Sequence, residues 1–128
     1  MLLFLSPFLP AITPMAVSSR GYTRDGRIKP DLAAPGVNVY GPGISSVPDN
    51  FPYTRMTGSS IAAAHVAGAA ASLYSWGYVK GNEPSINSRS IKAYLTLGAD
   101  RIASYRYPNP EWGYGTLNLY QSFLTMRD

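Results

Sequence analysis

Thr57 to Gly68 is TGSSIAAAHVAG, a glycine and two serines running straight into an alanine-rich apolar segment. A serine hydroxyl is a weak nucleophile that proteins activate through its surroundings, often where a tight turn opens a helix. Gly58 supplies such a turn, because it can take backbone angles closed to other residues and carries no side chain to obstruct a substrate. Ser60 then falls in the first helical turn. There, unpaired N–H groups and the positive end of the helix dipole favour the oxyanion formed in acyl transfer. From Ile61 to Leu73 the helix is almost wholly apolar, which predicts burial. Its alanines (Ala62, Ala63, Ala64, Ala67, Ala69, Ala70 and Ala71) allow close packing against a sheet.

The run GSSIAAAHVAG resembles the GTSxAxPHVAG signature of the subtilisin-like serine proteases (peptidase S8), with Ser60 at the catalytic serine and Ser59 at its usual threonine neighbour. Ala64 stands where the family usually has proline, a change that a helix accepts readily. Two more matches follow the family's order. KPDLAAPG, Lys29 to Gly36, resembles a stretch just upstream of the serine, and EWGYGTLNLYQSF, Glu111 to Phe123, resembles the closing Gly-x-Gly-x-Leu-Asn segment. The resemblance implies a partial subtilisin-like α/β fold: a mostly parallel sheet flanked by helices, with the nucleophile at the N-terminus of a buried central helix. It also implies a serine endopeptidase acting on polypeptides through a Ser60 acyl-enzyme. Ser60 would lend its own N–H to the oxyanion hole, Gly58 and Ser59 would shape the turn, and Thr57 would help position the substrate backbone.

A triad of this type needs a base for the hydroxyl proton and a carboxylate to orient that base, and the family's chain order is Asp, His, Ser. No histidine precedes Ser60, and none of Asp25, Asp31 or Asp49 sits in the expected glycine-flanked motif. Asp31, beside a proline, is expected to satisfy local backbone donors rather than to catalyse. His65, the single histidine, lies five residues further along the helix. That is an advance of about 7.5 Å and a rotation of roughly 140° away from Ser60. The family's side-chain oxyanion donor, an asparagine, also has no counterpart. The resemblance covers 18–123, the last part of a catalytic domain, so the isolated chain is expected to be an inactive fragment. The alternative is a non-catalytic interaction module, or a subunit completed by another chain. A half-domain should leave sheet edges and the Ser60 helix partly uncovered, favouring association with the missing half or with itself.

Composition narrows the field. With 128 residues, 45% hydrophobic and 14% charged, the chain can form one domain with a core. The absence of cysteine removes disulfides and thiolate metal sites, and one histidine assembles no zinc site, so no metal or cofactor is expected in this chain. The resemblance admits calcium in the complete domain. Eleven basic residues give a net charge of +4, but they are dispersed among acids, which argues against a nucleic-acid partner. No run reaches the roughly 18 to 20 apolar residues of a membrane span. Location is open, since related bacterial proteases are secreted, at the cell surface or in spores.

The segment 1–17, MLLFLSPFLPAITPMAV, is apolar and broken by three prolines. It lacks the basic start and unbroken apolar stretch of a signal peptide, leaving a remnant strand or a mistranslated terminus. Ser18 to Lys29 is polar with an Asp25-Gly26 turn signal, and is expected to be an exposed loop. Short strand pieces are expected at Leu32 and from Val37 to Tyr40. Gly43 to Asn50 makes a flexible connection, and a strand from Phe51 to Met56 leads to the nucleophile turn. Trp76-Gly77 should end the central helix. A second helix, Ser88 to Leu97, should be capped by Ser85 or Ser88 and present Ile91, Tyr94, Leu95 and Leu97 to the core. Trp112, Tyr114 and Tyr120 are expected to pack, and 124–128 is a tail.

Overall fold

The computed structural model describes residues 18–44 and 52–127. The readings of 1–17 and of most of the 43–50 connection fall outside these residues. The segment expected as an exposed loop is a small hairpin, β1 (Gly21–Tyr22) pairing antiparallel with β2 (Ile28–Lys29). Its turn closes through the Gly26 N–H donating to the Thr23 carbonyl at 2.8 Å, with Gly26 at φ 80. The Asp25-Gly26 signal is therefore a hairpin turn. Two of the segment's three arginines are paired: Arg27 with Asp25 at 2.7 Å, and Arg20 with Glu111 at 2.8 Å.

β3 (Val39–Pro42) and β4 (Tyr53–Met56) form a second antiparallel pair, in register from Val39 opposite Met56 to Pro42 opposite Tyr53. β4 delivers the chain to α1 (Ser59–Tyr74), the 16-residue helix that supplies Ala69 and Leu73 to the principal core. Only one side of α1 is covered. Ala62, Ala69 and Leu73 are buried, while Ala63, Ala64, Ala67, Gly68 and Ala71 are exposed. A helix apolar on all sides thus has a core on one face and bare alanines on the other.

Trp76-Gly77 does not end the helical path. Ser75–Val79 continues it as a wider π-type turn, with the Lys80 N–H reaching back to the Ser75 carbonyl at 3.0 Å. This brings Gly77 against Ile86, whose Cδ1 lies 3.0 Å from where a glycine-borne methyl would sit. α2 (Ser88–Leu97) has the expected bounds, but its cap is Asn87. The Asn87 side-chain oxygen accepts from the Arg89 and Ser90 backbone amides at 3.0 and 3.2 Å, and the Ser90 hydroxyl accepts from the Asn87 backbone amide at 2.9 Å. That reciprocal pair satisfies helix-end donors more fully than a serine alone would. Leu95 is buried, and Ile91 and Tyr94 pack beside it. Leu97 is 62% exposed, because two residues beyond Leu95 is the opposite side of a helix.

The principal core joins Leu32, Ala69, Leu73, Leu95 and Ala99, with Phe123 and Met126 of α3 (Leu119–Arg127) packed on it. Among the described residues the paired strands are antiparallel. The parallel geometry implied by the resemblance is represented by the bridge between Ala33 and Thr116, where the Leu117 N–H donates to the Ala33 carbonyl at 2.7 Å. Gly113 (φ 59) and Gly115 (φ 135) hold the closing segment against the carbonyls of Pro30, Asp31 and Asp100, leaving no room for a Cβ. Trp112 packs as expected at 1% exposure, whereas Tyr114 and Tyr120 remain 39% and 70% exposed. These two tyrosines are surface residues, not core.

Candidate active site

The candidate nucleophile Ser60 is the second residue of α1 and is exposed. Gly58 is the N-cap, with φ 169 and ψ 155. That is extended backbone open to any residue, so the conformational reason expected for this glycine does not apply. Space is the reason instead: a Cβ at Gly58 would stand 3.2 Å from the Ser60 hydroxyl oxygen. The glycine leaves room for the Ser60 side chain to lie back over the turn.

No side chain caps α1, and its first turn holds no acidic residue. The Ile61 and Ala62 amides turn inward to the Gly58 carbonyl at 3.1 and 3.4 Å. Among the described residues, the Ser59 and Ser60 amides and the Ser60 hydroxyl find no hydrogen-bond partner. Free N–H groups at a helix start, beside a free hydroxyl, can stabilise negative charge developing on an oxygen next to Ser60.

The turn is held from outside. The Gly58 N–H donates to the Gly36 carbonyl at 2.8 Å, and the Thr57 hydroxyl oxygen accepts from the Asn38 N–H at 2.8 Å. Asn38 was not singled out by sequence reasoning. The available signal was an asparagine just before a strand, since asparagine is the non-glycine residue most at home at positive φ.

Beside the turn, Val39, Tyr40, Met56, Ile61, Ala64 and His65 line an open groove of about 460 Å³ between the β3–β4 pair and the exposed side of α1. His65 directs Nδ1 at the Ile61 carbonyl one turn back, 3.0 Å away, so that nitrogen is the donor and the ring is folded onto its own helix. Asp31 lies elsewhere, beside α2. Its carboxylate holds Lys29, and Lys92 at 2.8 Å, rather than the local backbone donors expected of it. Burial opposes ionisation there, and the two ammonium groups outweigh it, keeping the carboxyl below its ordinary value. The structure therefore gathers Thr57, Gly58, Ser59 and Ser60 into one turn and leaves Asp31 outside it. No cluster of metal-binding side chains occurs among the described residues.

The family model for the subtilases, peptidase S8, matches residues 11–115, which include the whole turn and begin inside the segment 1–17. The chain belongs to the subtilase family. Among curated relatives, Pyrolysin of Pyrococcus furiosus is 32% identical across 91% of this subtilase chain and 8% of its own length. Subtilisin-like protease SBT4.3 of Arabidopsis thaliana is 30% identical across 87% of this chain and 15% of its own. The solved structure of the Clostridium perfringens CspB protease superposes with a TM-score of 0.78 at 38% identity, covering 90% of this chain and 24% of that one. This subtilase chain thus spans a quarter or less of the length of each of these three proteases.

Proposed function

We propose that this chain is the nucleophile-bearing, C-terminal part of a subtilisin-like serine endopeptidase. Ser60 attacks the scissile carbonyl of a polypeptide, its hydroxyl proton passes to the base, and it becomes acylated as the peptide C–N bond breaks and the amine leaves with that proton. The Ser60 N–H stabilises the oxyanion, and Gly58 and Ser59 hold the turn that presents it. The observation that carries this reading is the unpartnered Ser60 hydroxyl and amide at the start of α1, within a chain of a protease family. The base and its orienting aspartate come from sequence outside this chain, since the single histidine follows Ser60 and faces the Ile61 carbonyl. By itself the chain hydrolyses nothing. The polypeptide substrate, any calcium and a secreted, cell-surface or spore location belong to the complete protein. No helix among the described residues is long and apolar enough to cross a membrane.

The exposed alanine face of α1 supports a second reading, a subunit completed by another chain or by self-association. The test is a peptide-hydrolysis assay of this chain alone and of a hybrid in which the upstream half of the CspB protease domain precedes it. Hydrolysis by the hybrid, lost in Ser60→Ala, is the expected result. A hybrid that folds and is inert, or whose activity survives Ser60→Ala, overturns the reading.

A further inference from the structure

We infer that Asn38 and Thr57 are positioning residues for Ser60, acting as a latch that fixes where the chain leaves the β3–β4 pair to enter α1. The inference rests on the reading of Ser60 as nucleophile and adds to it two residues that never touch the reacting atoms. The ladder register runs from Pro42 opposite Tyr53 to Val39 opposite Met56, so the next pair in line is Asn38 with Thr57. A backbone bond at this step would carry the strands onward. Instead the Asn38 N–H donates to the Thr57 side-chain oxygen at 2.8 Å. The side chain takes the ladder's last bond, and the Thr57 backbone is released to turn.

One residue later the Gly58 N–H donates to the Gly36 carbonyl at 2.8 Å. Two consecutive residues of the turn are therefore anchored to 36–38, and Ser60 follows within half a helical turn. Asn38 pays for its part in backbone strain: at φ 54 it is the one non-glycine residue at positive φ among the described residues. That conformation aims its amide at a side chain rather than along a strand. Threonine suits the acceptor role because its branched Cβ restricts the rotamers that carry the oxygen. Ser60 lies two residues beyond Gly58, the N-cap of α1, so a drift of the turn carries the hydroxyl with it.

The test is amide hydrogen exchange and chemical shift by NMR on the full chain, comparing wild type with Thr57→Val, Thr57→Ser and Asn38→Gly. Thr57→Val keeps the shape and removes the acceptor, and should accelerate exchange at the residue 38 amide about tenfold and move the Ser60 amide resonance. Thr57→Ser keeps an acceptor and Asn38→Gly keeps both the amide and the positive φ, so each should stay within about twofold of wild type. The amides of Leu73 and Leu95 report whether the core is intact in every variant. Equal exchange in Thr57→Val and Thr57→Ser, an unprotected Asn38 amide in wild type, or an unmoved Ser60 resonance overturns the latch. The nucleophile reading fails separately, in the hydrolysis assay, where activity surviving Ser60→Ala would leave the exchange result untouched.

Discussion

Gly98 follows α2 and has φ −77, an angle that alanine adopts freely. Any cost of Gly98→Ala must therefore come from space. An added Cβ would meet backbone of α3: the Ser122 nitrogen, the Ser122 Cα at 2.6 Å and the Gln121 carbonyl carbon at 2.8 Å. Ordinary contact begins at 3.4 Å, so α3 must retreat by about 1 Å to clear the Ser122 nitrogen, the nearest of the three, in a core packed to crystal density. Backbone cannot swing aside as a side-chain tip can, which places the cost near the top of the range for overpacking, about 3 kcal/mol. With a urea dependence of about 1–3 kcal/mol per molar, the midpoint should fall by about 1 to 3 M. α3 carries Phe123 and Met126 onto the core, so its amides should lose protection first. Urea unfolding followed by circular dichroism, with exchange at α3, measures both. A change under about 0.5 kcal/mol would refute the claimed contact between the end of α2 and α3.

Other perturbations separate the parts of the account. Gly68→Ala lies mid-helix with nothing within 4 Å of the new Cβ, so it should stabilise the chain by about 0.5–1 kcal/mol in a thermal melt. Destabilisation would mean that something already covers that face. The Asp31 carboxyl titrates below its ordinary value of 3.8, so the stability it contributes is present above that pH and disappears as pH falls through the lower folded value. The melting temperature of wild type should therefore exceed that of Asp31→Asn at neutral pH, and the gap should close below pH 3.8; a constant gap would contradict the Lys29 and Lys92 pairing. Gly58→Ala should leave α1 folded but displace the Ser60 hydroxyl by a few tenths of an ångström, cutting hydrolysis by the hybrid several-fold, about fivefold. Unchanged hydrolysis would remove the spatial role of that glycine.

The sequence was most legible where local chemistry decides. α2 appeared with its observed bounds because Ile91, Tyr94 and Leu95 repeat at helical spacing. The entry of β4 into α1 was legible because Thr57 to Ser60 breaks a strand and starts a helix within four residues. What escaped depended on partners distant in sequence. Arg20 with Glu111, and Ala33 with Thr116, carry no local signal. Gly58 was singled out for its angles, whereas what the structure shows there is the Ser60 hydroxyl lying over it. Asn38 offered a local hint of positive φ, but its bond to Thr57 was not legible because that partner lies 19 residues away. Leu97, Tyr114 and Tyr120 show the converse error, since apolar or aromatic character predicts burial only when a neighbour covers it.

The most direct measurement of the central claim is to map the adduct of a fluorophosphonate probe by peptide mass spectrometry, in this chain alone and in the hybrid with the upstream half of the CspB protease domain. The account predicts no adduct in the chain alone and, in the hybrid, one adduct on the peptide containing Ser60, lost in Ser60→Ala and retained in His65→Ala. An adduct on the isolated chain that depends on His65, or an adduct in the hybrid on any residue other than Ser60, would contradict it.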